Sequence, residues 1–162
     1  MLYIAYGSNL HVGQMKGRCP AAVKIGKTTI PNMRLVFRGV ADIEPCEGAS
    51  VPVGVWYITK ACERALDRYE GISSGLYRKE YLPLRVMKKG VESTEQGLVY
   101  VMNGGEYSEP GQFYYETIHI GYGNFGLPID ALKAADKLTA KLAKAARAGR
   151  AAAVAGEWEI AP

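Results

Sequence analysis

Two stretches of this chain carry residue types that can move a proton and hold an anion. The first centres on Glu70, in the run Leu66-Asp67-Arg68-Tyr69-Glu70-Gly71. Ala61 to Glu70 reads as a helix capped by Thr59, with Cys62, Ala65, Leu66 and Tyr69 on one face. Gly71 is placed to end it. A carboxylate in the last turn lies beside unsatisfied carbonyls, whose partial negative charge raises its affinity for a proton. Burial pushes the same way. Such an acid can both take and return a proton near neutral pH. A surface glutamate beside a capping glycine is the plainer alternative for the same spacing. Asp67 reads as structural or solvated, with Arg68 as a simple pair for it.

The second stretch is Tyr3-Ile4-Ala5-Tyr6-Gly7-Ser8-Asn9-Leu10. Its first four residues suit a buried strand. Gly7 offers backbone freedom, and Ser8 and Asn9 are turn formers. Consecutive N–H groups in such a turn can point into one concavity and bind a carboxylate or phosphate. An ordinary strand-ending turn has the same local pattern.

Other chemistries find less support. Gly26-Lys27-Thr28 resembles the end of a Walker A motif, but Ala21 occupies the first glycine position and no strand leads into it. His11 and His119 lack the spacing of a metal pair and read as structural or surface residues, so no metal site is expected. Gly7-Ser8 lacks the second glycine of a nucleophile elbow. Cys62 sits on the apolar face of its helix and reads as core.

The elements that must position these residues come next. His11 to Cys19 reads as a short helical or irregular segment. Ala22 to Ile30 and Met33 to Phe37 read as strands broken by Pro31-Asn32, and Val40 to Ile43 as a short strand before the turn-rich Glu44 to Gly48. Val51 to Ile58 is a further strand. Tyr77 to Met87 and Gln96 to Met102 form a hairpin joined through the polar Lys88 to Glu95. Gln112 to Gly121 is helical, and Gly126-Leu127-Pro128 leads into an Ala/Lys-rich helix with Leu132, Ala135, Leu138, Leu142 and Ala145 as its stripe. Gly149 is expected to end that helix. Residues 1–148 are thus one domain, and 149–162, with Trp158, a tail of unassigned structure. Strands dominate early and helices are few, so a mixed α/β sheet curling toward a barrel, with helices outside, fits better than a doubly wound fold.

With 162 residues, 48% of them hydrophobic and 11 tyrosines, the chain has material for a proper core. No apolar run is long enough to cross a bilayer and no secretory signal opens the chain. Three cysteines without a CxxC pair read as reduced thiols of a cytoplasmic protein. The net charge of +4 collects on the last helix as a solvated face, and no stacking platform or reading helix accompanies it, so no nucleic-acid partner is expected.

Together these residues resemble the γ-glutamylcyclotransferase-like family, which includes the AIG2-like proteins. The resemblance is carried by Tyr6-Gly7-Ser8-Asn9-Leu10, by Leu66 to Gly71 with Ser74-Gly75-Leu76-Tyr77 after it, and by Tyr114 followed by Gly121 and Gly126-Leu127-Pro128. It spans roughly residues 2 to 135. It implies a small mixed β-barrel with flanking helices and no metal or organic cofactor. It further implies a γ-glutamyl substrate held by Tyr6, Gly7, Ser8, Asn9 and Leu10, with Glu70 as acid and base. The implied reaction is attack of the substrate's α-amine on its own γ-carbonyl, releasing 5-oxoproline. Tyr6, Tyr77 and Tyr114 are expected to wall the cavity; each also suits a plain core. A non-catalytic binding module of the same fold is the alternative, and removal of a γ-glutamyl protecting group in biosynthesis a third. Leaving group and oligomeric state stay open.

Overall fold

The computed structural model describes residues 1–88 and 90–156. Its organising strand is β1 (Leu2–Ala5), all four residues of which are buried. β1 joins two long antiparallel hairpins into one five-stranded sheet of order β2-β3-β1-β5-β4. It runs antiparallel to β3 (Ala41–Tyr57), with Leu2 opposite Tyr57 and Ala5 opposite Gly54. It runs parallel to β5 (Val91–Met102), with Tyr3 opposite Leu98. The expected mixed α/β architecture is therefore present. The sheet is not closed, however: β2 (Val23–Phe37) and β4 (Tyr77–Lys88) stand at its two ends. A four-residue strand links the hairpins, and β2 and β4 do not pair with each other, so the expected barrel is not formed.

Both hairpins are longer than the sequence predicts. Pro31-Asn32 does not break β2; the register shifts there instead, with Asn32 at φ +55° and its side-chain oxygen accepting the Gly48 N–H at 3.1 Å. The pair is absorbed as a bulge. Glu44 to Gly48 likewise lies inside β3, with Pro45 opposite Met33. β1 pairs only with the far end of β3, so near Pro45 the side of β3 away from β2 has no β1 partner and a missing N–H is tolerated. In the other hairpin, β5 begins at Val91 rather than Gln96, because Glu92, Ser93, Thr94 and Glu95 pair with β4 as an extended polar arm.

Four α-helices among the described residues flank the sheet. α1 (Val12–Arg18) follows the first turn, and His11 caps it by accepting the Gln14 N–H on Nδ1. α2 (Lys60–Tyr69) starts at Thr59, whose hydroxyl accepts the Cys62 N–H at 3.2 Å. α3 (Gln112–Phe125) runs four residues past its expected end and stops at Gly126, with the Leu127 N–H donating to Tyr122 C=O at 2.9 Å. α4 (Ile129–Gly156) passes Gly149 without a break. Its buried face carries Leu132, Ala135, Thr139 and Ala143, and the Thr139 hydroxyl accepts the Phe37 N–H. Trp158 lies outside the described residues. No described helix is long and apolar enough to cross a membrane.

Candidate active site

The turn that follows β1 is a single 3₁₀ turn, Ser8–Leu10. Leu10 N–H donates to Gly7 C=O and His11 N–H to Ser8 C=O, both at 3.0 Å. Those bonds consume the last amides of the turn. A helical turn cannot satisfy the N–H groups at its head, Gly7, Ser8 and Asn9, internally; that of Ser8 is directed at the Tyr114 oxygen. Gly7 is required for space rather than for an unusual φ, which is −114°. A Cβ there would sit 3.2 Å from Ala41 Cβ and 3.3 Å from the Tyr114 hydroxyl.

Glu70 ends α2, and its own N–H still donates to Leu66 C=O at 2.8 Å. Gly71 then reverses the chain at φ +65°, a left-handed conformation that favours glycine. The Glu70 side chain meets the first turn, where Oε1 accepts the Asn9 amide at 2.8 Å. Asn9 donates its other amide proton to the Tyr3 hydroxyl at 2.8 Å, and its main-chain oxygen accepts the Trp56 indole N–H. The acid and the turn, 61 residues apart in sequence, are thus in direct contact.

Both border one cavity of about 230 Å³. Tyr6, Gly7, Ser8, Asn9, Glu70, Tyr77 and Tyr114 all line it. Leu10 does not. Its side chain is fully buried on the other side of the turn, against Gly121 of α3. Tyr3, Tyr69, Leu76 and Tyr100 line the cavity too, and the sequence offered no signal for them beyond their neighbours. Arg18 was also missed; it lies behind the turn and donates to Asn9 Oδ1 at 2.7 Å. Its position at the end of a short basic segment ten residues after Ser8 was the available clue.

The tyrosines differ in what they can offer a ligand. Tyr6 donates its proton to Tyr100 C=O at 2.6 Å, and Tyr77 donates to Ala41 C=O at 2.8 Å. Their hydroxyls can therefore only accept from anything bound. The Tyr114 oxygen instead accepts the Ala41 N–H at 3.1 Å, so its own proton is available to the cavity. Burial raises the pKa of all of these phenols, that of Tyr114 to about 12, which keeps them neutral near pH 7.

Burial also governs Glu70. Desolvation pushes its carboxyl up to about 7, against the opposing pull of Arg18 and the Asn9 amide. The residue is then close to half ionised at neutral pH, the condition in which one carboxyl both accepts and donates protons efficiently. The base of α2 is fixed separately: Lys79 of β4 bridges Glu63 and Asp67 at 2.9 and 2.7 Å, and Tyr100 donates to Asp67 at 2.7 Å. Asp67 is thus held by Lys79 and Tyr100. The expected pairing with Arg68 gives way because Asp67 faces the sheet.

Comparison with known proteins points one way. The family model described as "Gamma-glutamyl cyclotransferase, AIG2-like" matches residues 3–119. The chain is 31% identical over 147 residues to a γ-glutamylcyclotransferase of Bos taurus, covering 82% of this chain and 75% of that one. It is 30% identical over 142 residues to the Homo sapiens γ-glutamylcyclotransferase, covering 80% and 73%. A solved structure of a γ-glutamyl cyclotransferase aligns with a TM-score of 0.72 at 26% identity, over 83% of this chain and 85% of that one.

Proposed function

The chain belongs to the AIG2-like γ-glutamyl cyclotransferase family of cyclising enzymes, and from that premise we propose that it converts a γ-glutamyl amide to 5-oxoproline with Glu70 as the proton carrier. The single observation that supports this most is the Glu70 carboxyl itself: facing a tyrosine-lined cavity, held by Asn9, with its pKa raised to about 7.

The substrate's α-nitrogen attacks its own γ-carbonyl carbon, forming the ring C–N bond. Glu70 takes the proton that nitrogen loses. The bond from the γ-carbon to the leaving nitrogen then breaks, and Glu70 returns the proton to the departing amine. Atoms and charge balance without water or a second nucleophile. Ground-state γ-glutamyl chains are flexible, so holding one in a near-attack geometry is the other half of the task. The turn amides at Gly7 and Asn9 and the free proton of Tyr114 suit the substrate's negative oxygens. The acceptor hydroxyls of Tyr6 and Tyr77 suit its amino group. We assign the enzyme to the cytoplasm, a reading its three free thiols support.

The test is a panel of γ-glutamyl amino acids, γ-glutamyl amines and glutathione, with 5-oxoproline as the measured product. Turnover is expected with at least one class. Glu70→Gln is expected to lower kcat by about 10²–10⁴-fold with the fold retained. Parent-like turnover in that variant would overturn the assignment of Glu70. A melting shift with glutamate-like ligands but no product from any substrate would favour a binding module instead.

A further inference from the structure

Arg18, the last residue of α1, takes no direct part in moving the proton, yet both of its terminal nitrogens are committed. Nη1 donates to Asn9 Oδ1 at 2.7 Å and to Ser8 Oγ at 3.2 Å. Nη2 donates to Gln14 Oε1 at 2.7 Å and to the Tyr69 hydroxyl at 2.6 Å. The guanidinium carbon also lies 3.6 Å from the centroid of the Tyr69 ring. All four terminal N–H groups are therefore used, and they reach α1, the first turn and the end of α2 together.

A guanidinium has donors and no acceptor, so it can face only one end of the Asn9 amide, the oxygen. That choice sends the Asn9 NH₂ the other way, one proton to Tyr3 and the other to Glu70 Oε1. An asparagine amide is nearly the same shape when flipped. Without Arg18 the flipped form, with its oxygen against the Glu70 carboxylate, loses its main opponent. We propose that Arg18 is a positioning residue for the reaction: through Asn9 it keeps an amide donor on one oxygen of Glu70 and leaves the other to meet the substrate. The proposal rests on the proton-carrying role given to Glu70 above.

Arg18 also acts on Glu70 through its charge. The titratable groups facing that carboxyl are Arg18 from α1, Tyr3 and Tyr6 at β1, Tyr77 from β4, Tyr100 from β5 and Tyr114 from α3. The phenols stay neutral through the working range, so the charge that changes in an Arg18 variant is the one Glu70 registers.

The experiment follows the Glu70 carboxyl directly, by ¹³C NMR of protein labelled at glutamate Cδ, assigned with Glu70→Gln. It is paired with pH profiles of kcat and KM on the substrate turned over best. Arg18→Gln is expected to move the Glu70 midpoint up by about one pH unit and to lower kcat by about ten- to a hundredfold with little change in KM. Arg18→Lys keeps the charge but not the planar fork. It is expected to leave the midpoint near the parent's while still lowering kcat. A parent-like midpoint with kcat within about twofold in Arg18→Gln, the uniform response of a merely structural residue, overturns the proposal. If Arg18→Gln fails to melt cooperatively, Arg18→Lys decides: lowered kcat at an unmoved midpoint supports the role, and parent kcat removes it. Should the parent show no turnover at all, the proposed reaction fails, and the carboxyl titration of the two variants still tells whether Arg18 governs Glu70.

Discussion

At the scale of single residues, the site depends on how far one carboxyl is removed from water. Raising Glu70 to about 7 from an ordinary 4.5 means that the folded protein binds a proton the unfolded chain has released between those two values. Stability from this group is therefore full below about pH 4.5 and is lost as pH rises through about 7. Glu70→Gln removes that dependence. The variant is expected to match the parent at pH 4 and to exceed it at pH 8 by on the order of 2 kcal/mol, read from urea unfolding at both values. Activity runs the opposite way, since the ionised form must accept the proton: kcat/KM is expected to fall on the acid side with a midpoint near 7. Tyr114 is the other residue with a direct test. Tyr114→Phe removes the donor left free for the substrate and also orphans the Ala41 N–H. A loss of about 10²-fold in kcat/KM is expected, with about 1 kcal/mol of stability. Retention of parent kcat/KM would assign that hydroxyl to the Ala41 contact alone.

Among the elements, the contact of α3 with the first turn decides where the turn amides proposed to hold the substrate stand. Leu10 presses into α3 at Gly121, where an added Cβ would lie 2.6 Å from Leu10 Cβ and 2.8 Å from its carbonyl carbon. Backbone on both sides leaves no flexible end to yield. Gly121→Ala is expected to cost about 1–3 kcal/mol and to weaken substrate binding by shifting the turn, measurable as a raised KM beside a lowered Tm. α2 needs an equally firm seat, because it delivers Glu70. Lys79 provides one by joining β4 to Glu63 and Asp67, and these bonds hold the Glu63 carboxyl below its usual pKa. Lys79→Met keeps the stem and removes the ammonium. It is expected to destabilise the protein by about 1 kcal/mol at neutral pH. The loss should shrink as pH falls through the depressed Glu63 value, where the carboxylate is protonated in both proteins.

For the whole molecule, the sheet and the helices packed on it bring the contributors to one place. β1 runs between the two hairpins and ends at the turn; β3 returns Ala41 to the cavity wall; β4 and β5 supply Tyr77 and Tyr100; α3 supplies Tyr114. The openness of the sheet matters here. A closed barrel would tie the outer strands to each other, whereas the open sheet leaves the cavity to be walled by tyrosines from separate elements.

Local chemistry was readable from the chain alone: a strand entering a Gly-Ser-Asn turn, a helix ending on Glu-Gly, and the strands and helices that carry them. Those features depend on neighbours a few residues away, which sequence displays. Strand length at Pro31-Asn32 and Pro45 is not legible in the sequence because tolerance for a proline depends on which side of a strand is paired, and pairing is not local. The proton affinity of Glu70 was inferred from its place at a helix end, yet its main cause is desolvation by a cavity built from five distant elements. Arg18 escaped notice for the same reason. Residue types set what the site is made of, and long-range packing decides how dry the acid is, which amide faces it and where the open sheet ends.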